Sequence, residues 1–196
     1  MIYKTKTFLI LPFEGTLIVG NGGRSPKVNN HYSSKSQRYA YDFMSLKFKN
    51  KGDKLEDFEV FGVDVIAPAG GIIIQVINGC RDVNIGEKDT FVYPGNMVVI
   101  DHENGEWSVL CHFKYNSIRV KVGDRIRQGN TLGFCGNSGN SSEPHIHYHL
   151  QDNALMIRAK GLPAQFRKIV VDGVVKENVE PIRFQKVSNI KERGWG

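Results

Sequence analysis

NMVVIDHENGEWSVLCHF, residues 96–113, reads as two apolar runs folded about a turn. NMVVI and WSVLCHF are rich in β-branched and aromatic residues, and ENG at 103–105 between them is a strong hairpin signal. Similar short apolar runs separated by turn residues lie on either side: VFGVDVIAP (60–68), GGIIIQVIN (70–78), VKVGDRIRQGNTLGF (120–134) and PHIHYHLQD (144–152). That spacing describes an all-β sheet or barrel built from hairpins.

Further out the same reading continues. FLILPF (8–13) and TLIVG (16–20) read as short strands, followed by an irregular loop, NGGRSPKVNN (21–30), which delivers His31 to the surface. RYAYDFMSL (38–46) alternates and is aromatic, so it reads as a strand carrying Asp42 partway along. Residues 47–57 are polar and read as an exposed loop or short helix, and VVDGVV (170–175) marks a further pair of strands in the tail. The chain is expected to be mostly β, an antiparallel single domain over 1–196 with few short helices.

Composition narrows the function classes. The 196 residues are 40% hydrophobic, enough for one buried core. The net charge of +6 favours polyanionic surroundings, yet no block of five or six basic residues occurs, so no nucleic-acid partner is expected. The odd set Cys80, Cys111 and Cys135 fits neither a disulfide framework nor a paired CxxC metal motif and reads as buried thiols. Pro12 and Glu14 cut short the apolar patch Phe8–Leu11, so neither a signal-peptide core nor a transmembrane segment is read. Oligomeric state is not legible.

The chemistry concentrates in PHIHYHL, residues 144–150. Strand alternation sends His145, His147 and His149 to one face and Ile146, Tyr148 and Leu150 to the other. Three imidazoles at period two point to a metal or to catalysis, since neutral imidazole is the commonest metal ligand. A catalytic zinc needs three protein ligands and one open position, and two His with one carboxylate would suffice. Asp42 is the first carboxylate to consider, with an ion pair to Arg38 as its plainer alternative. In EWSVLCHF the same alternation groups Ser108, Leu110 and His112 on one face and turns Cys111 away, which argues against a Cys111/His112 nucleophile pair; His112 is a candidate general acid or base, or a group to stabilise an oxyanion.

AYDF (40–43), LCHF (110–113) and GNSGNSSEPHIHYHLQD (136–152) together resemble the signature regions of lysostaphin-type (LytM-like) zinc metallopeptidases, over about residues 8–152. The resemblance implies a barrel-sandwich hybrid-like fold with duplicated hybrid motifs, residues 153–196 being an extension packed on that core. It implies one zinc held by His31, Asp42 and His147, with His112 and His145 as the two catalytic histidines. The implied activity is hydrolysis of peptide bonds in bacterial cell-wall peptidoglycan, and the implied location is extracellular or at the wall. His149 is then expected behind the ligands, where it could orient one, or along the substrate groove. Asn137 and Asn140, in the polar loop before the histidine strand, are expected to border that groove.

In one place the chain departs from the family pattern. The first ligand usually stands four residues before the Asp, where this chain has Arg38, and His31 stands eleven before it. If His31 does not ligate, the same fold would be a degenerate module that binds wall peptides or activates a partner hydrolase. VKVGDRIRQGNTLGF also resembles a hairpin of biotinyl and lipoyl carriers, but the preceding turn, DHENG (101–105), holds no lysine to modify.

Overall fold

The computed structural model describes residues 3–47 and 49–190; residues 1–2 and 191–196 of the expected 1–196 domain, and residue 48 of the expected loop 47–57, lie outside them. Thirteen strands form among these residues, with helical structure confined to two short 3-10 turns. β1 (Thr16–Asn21), β2 (Tyr41–Met44), β4 (Gly71–Ile77), β5 (Asn96–Asp101), β6 (Trp107–Phe113), β7 (Arg125–Ile126) and β9 (His145–Gln151) enter one large sheet. β11 (Phe166–Val171), β12 (Val174–Val179) and β13 (Lys186–Asn189) complete it, in the order β12-β11-β13-β1-β2-β9-β6-β5-β4-β7, with β10 (Gly161–Leu162) on the end of β9. β3 (Asp64–Ile66) and β8 (Thr131–Phe134) make a separate two-stranded sheet. The main sheet is therefore open, with β12 and β7 at its ends, and is not a closed barrel. The last three long strands are part of it, because β13 pairs with β1.

Two readings of the N-terminal half change. FLILPF makes only isolated bridges, Leu9 with Phe166 and Phe13 with Val65, although Leu9, Leu11 and Phe13 are fully buried. Pro12 has no N–H to give a ladder, and Leu11 donates its own to the Asn189 side chain instead. The strand bearing Asp42 is shorter than its alternation suggests, because Arg38 and Tyr39 belong to a turn.

The centre of the sheet is β2-β9-β6, and its two faces do different work. Tyr41, Phe43, Leu110, Ile146, Tyr148 and Leu150 point to one side and join the main core, which also takes in Val65 and Leu132 of the small sheet. The opposite face carries a small apolar cluster of Met97, Val99, Val109 and Cys111, and beside it the histidines. Burying one full face of this sheet in apolar side chains contributes on the order of 1.5–3 kcal/mol per large side chain. That fixes the register, since a slip of one residue would turn the histidines into the core.

Candidate metal centre

Register decides which side chains meet. Asp42 on β2 lies directly opposite His147 on β9, and Cys111 on β6 lies opposite His147 from the other side. Directly opposed residues share a face, so Asp42, His147 and Cys111 form one row across three strands. Asp42 Oδ1 is 2.9 Å from His147 Nδ1 and 3.5 Å from His145 Nε2. The ion pair of Asp42 with Arg38 does not form among the described residues. Arg38 is exposed, donates from Nε to the Tyr32 carbonyl and stacks over the Tyr32 ring, away from the cavity.

His31 reaches the row by a loop that is pinned at both ends. It sits on a 3-10 turn, Asn30–Ser33, capped by Asn29, whose side-chain oxygen accepts from the His31 N–H. Asn29 is fully buried and its amide donates to the carbonyls of Gly23 and Ala40, clasping the start of the loop to its end. Asn21 accepts from the Asn30 N–H and donates to Asp42 Oδ2, tying the loop to the carboxylate. The loop therefore turns His31 inward rather than to the surface, and His31 Nε2 lies 2.8 Å from Asp42 Oδ2.

His112 arrives by a route that alternation does not foresee. β6 bulges against β5 between Cys111 and Phe113, and His112 has φ 64°. The extra residue turns His112 to the same side as Cys111, away from Ser108 and Leu110, so strict alternation fails at this one residue. A left-handed backbone costs a non-glycine residue about 1–2 kcal/mol, and such strain collects at functional sites. The geometric objection to a Cys111/His112 pair is thereby removed, but a chemical one replaces it. Burial, with the Asp42 charge adding to it, raises the Cys111 thiol far above its usual range, so it stays protonated.

His112 Nδ1 donates to the Ser138 carbonyl at 2.7 Å, and His145 Nδ1 donates to the Glu143 carbonyl at 2.9 Å with Ser141 Oγ beside it. Carbonyls only accept, so both imidazoles hold their proton on Nδ1 and carry the Nε2 lone pair on their free edge. The His112 and His145 rings lie 4.8 Å apart by their centroids. A cavity of about 300 Å³ opens over these groups. Asn21, Gln37, Lys88, Tyr93, Asn140 and Ser141 are among its walls, together with His31, Asp42, His112, His145 and His147.

Asn140 stands on the cavity wall, whereas Asn137 does not. Asn137 is fully buried, and its amide donates to the Val83 carbonyl beneath the loop. His149 lies behind His147 rather than on the cavity wall. Of the three thiols, Cys111 and Cys135 are buried and Cys80 only partly so.

The electrostatics suit a cation. Burial alone would raise the Asp42 carboxyl, yet His31 and His145 beside it hold it well below the usual carboxylate range. Burial, and then the neighbouring imidazoles, lower His112 and His149 well below the usual histidine range, and burial also lowers His147 against the pull of Asp42. Asp42 stays ionised and His147 neutral, the protonation state metal ligands need, whereas the Asp42 charge raises His31 against its burial. Two sets of donor atoms lie within 4.8 Å of one another, His31/Asp42/His147 and His112/His145/His147. The first mixes nitrogen with a charged oxygen, as a two-His, one-carboxylate catalytic site does.

Residues 54–159 match the profile of peptidase family M23, more than half of the chain. The chain belongs to that family. The matched stretch holds His112, His145 and His147 but begins after His31 and Asp42, whose part in the site rests on the geometry above. Among curated relatives, an uncharacterized metalloprotease of Buchnera aphidicola is 29% identical over 60% of this chain and 29% of its own length. The peptidoglycan DD-endopeptidase ShyC of Vibrio cholerae is 33% identical over 48% of this chain and 20% of its own. The chain thus spans less than a third of the length of these relatives. Of solved structures, the M23 metalloprotease Pseudoalterin from the deep sea has a TM-score of 0.54 at 17% identity, over 91% of this chain and 96% of its own. A chain of the SpoIIQ–SpoIIIAH pore forming complex scores 0.51 at 16% identity, over 80% and 89%. At those identities the likeness is one of fold.

Proposed function

We propose that this chain is an active zinc-dependent endopeptidase that hydrolyses peptide bonds of bacterial cell-wall peptidoglycan. The observation that carries this reading is the inward turn of His31 onto Asp42, which completes a two-His, one-carboxylate set with His147 although Arg38 occupies the usual ligand position. ShyC, named as a peptidoglycan DD-endopeptidase, supports the choice of substrate, as does the basic net charge in a wall rich in anionic polymers. The reaction would then take place outside the cytoplasm, at the wall.

His31, Asp42 and His147 would hold one zinc, which when bound polarises a scissile carbonyl and acidifies a water. His112 and His145 do the proton work. Each presents an Nε2 lone pair on the cavity side, fixed in that tautomer by a backbone carbonyl. One would take a proton from the attacking water and, so protonated, stabilise the developing oxyanion and return that proton to the leaving amine, while the other keeps its Nε2 lone pair to orient the water. Asn140 and Lys88 on the cavity wall are polar contacts for the peptide, Lys88 as a cation toward carboxylates.

The second reading is a module that grips wall peptides without cutting. The fold alone does not exclude it, since a chain of a pore forming complex has the same fold. The deciding test incubates the purified chain with isolated peptidoglycan. Release of new amino termini that stops on chelation and returns with zinc supports the peptidase. Tight wall binding with no new termini, in protein loaded with zinc, would leave the gripping module.

A further inference from the structure

A run of buried polar groups leaves the metal centre along β9. His147 Nε2 lies 3.0 Å from His149 Nδ1, and His149 Nε2 lies 3.1 Å from Gln151 Oε1. Gln151 Nε2 donates to the backbone carbonyl of Asn153 at 2.8 Å. His147, His149 and Gln151 are all buried, and Val109 and Trp107 of β6 lie opposite His149 and Gln151 in the sheet. Groups so buried depend on one another for their hydrogen bonds.

That requirement fixes the direction of every bond. The Asn153 carbonyl only accepts, so the Gln151 amide turns its NH₂ to Asn153 and its oxygen to His149. The amide oxygen also only accepts, so His149 carries its proton on Nε2 and offers the Nδ1 lone pair to His147. His147 then donates from Nε2, and its own lone pair is left on Nδ1. That atom faces Asp42 Oδ1 at 2.9 Å, and an ionised carboxylate oxygen is an acceptor too. That contact is repulsive without a cation beside both, and the three satisfied bonds along the anchored row outweigh it. Running the row backwards would set the Gln151 oxygen against the Asn153 carbonyl.

We propose that His149 and Gln151 are positioning residues that fix the Nε2–H tautomer of His147 and so keep its Nδ1 as a metal donor, with the Asn153 carbonyl as the fixed end. This rests on the zinc-site reading above and extends it to residues two and four places beyond the ligand. Period-two geometry is what makes it possible, because one strand presents ligand, relay and anchor on one face without any loop.

The test uses the full chain with His149→Leu, Gln151→Leu and His149→Gln, and reads two quantities. One is the zinc dissociation constant by chelator competition; the other is the tautomer of His147 from side-chain nitrogen shifts in the zinc-free protein. Each Leu variant should bind zinc about 10–100-fold more weakly. His149→Gln should stay close to the parent, since its amide can accept from His147 and donate to Gln151. The zinc-free parent should show His147 protonated on Nε2. Folded Leu variants with parental zinc affinity, or His147 protonated on Nδ1 in the parent, would overturn the proposal. If the Leu variants do not fold, the parental tautomer and His149→Gln still decide. A parent that takes up no zinc sinks the zinc reading alone, because the tautomer is read without metal.

Discussion

β9 and the loop before β2 both deliver a histidine to Asp42, and they do so by opposite means. On β9 the sheet ladder places His147 opposite Asp42, and the core packing of Ile146, Tyr148 and Leu150 holds the strand. In the loop no ladder exists, and His31 is aimed by two asparagines, Asn29 clasping the loop ends and Asn21 bridging it to the carboxylate. A ligand on a strand is fixed by the fold itself, whereas a ligand on a loop depends on a few polar bonds that can be removed one at a time.

The largest effects should show whether the two routes end in the same job. His31→Ala and His147→Ala should each lower zinc affinity by more than the roughly 100-fold expected of supporting groups. Equilibrium dialysis would check this, and a large loss in only one of them would break the equivalence. His112→Ala and His145→Ala should keep zinc while turnover falls about 10²–10⁴-fold. Loss of zinc from His112→Ala instead would point to the alternative donor set His112/His145/His147.

Asn29→Ala should sharpen the contrast. It removes the clasp from one route only, leaves three carbonyls and an N–H to find other partners, and should lower stability by about 1–3 kcal/mol. Zinc affinity should fall with it in chelator competition, while the His147 nitrogen shifts stay unchanged.

Acid should strain the strand side. His112, His147 and His149 are lowered by burial, so the unfolded chain binds more protons than the folded one below about pH 6.5. Their contribution is intact above that pH and is lost as pH falls toward the folded values. His31 has the opposite sign: burial lowers it, but Asp42 outweighs burial and raises it, so it favours folding below about pH 6.5. Three groups against one predict a lower melting temperature for the zinc-free protein at pH 5.5 than at pH 7.5. The smallest effect concerns the bulge: His112→Gly should be more stable than His112→Ala by about 1 kcal/mol in denaturant titrations, because Gly tolerates φ 64°.

Much of this was legible in the sequence because period two is a strong signal. PHIHYHL predicts the two faces of β9, ENG predicts the hairpin of β5 and β6, and VVDGVV predicts the pair β11 and β12, whose turn takes positive φ at Asp172 and Gly173. Alternation puts His112 on the face of Ser108 and Leu110, and the structure does not, because a bulge without glycine leaves no mark in the residue pattern. The inward turn of His31 depends on bonds from Asn29 and Asn21, although the Asn-Asn-His run at 29–31 is an Asx-turn signal that could have suggested it. Asn137 read as a groove residue because polar loop residues look alike until burial separates them. Nothing in the sequence singles out Gln151, because the role proposed for it exists only in series with His149.

The most direct measurement is zinc content per chain in protein purified without added metal or a histidine tag, beside the His31→Ala variant. The account predicts about one zinc in the parent, as for a single catalytic site, and little in the variant. A parent that is metal-free and cannot take up zinc, or a variant that keeps its full complement, would contradict it.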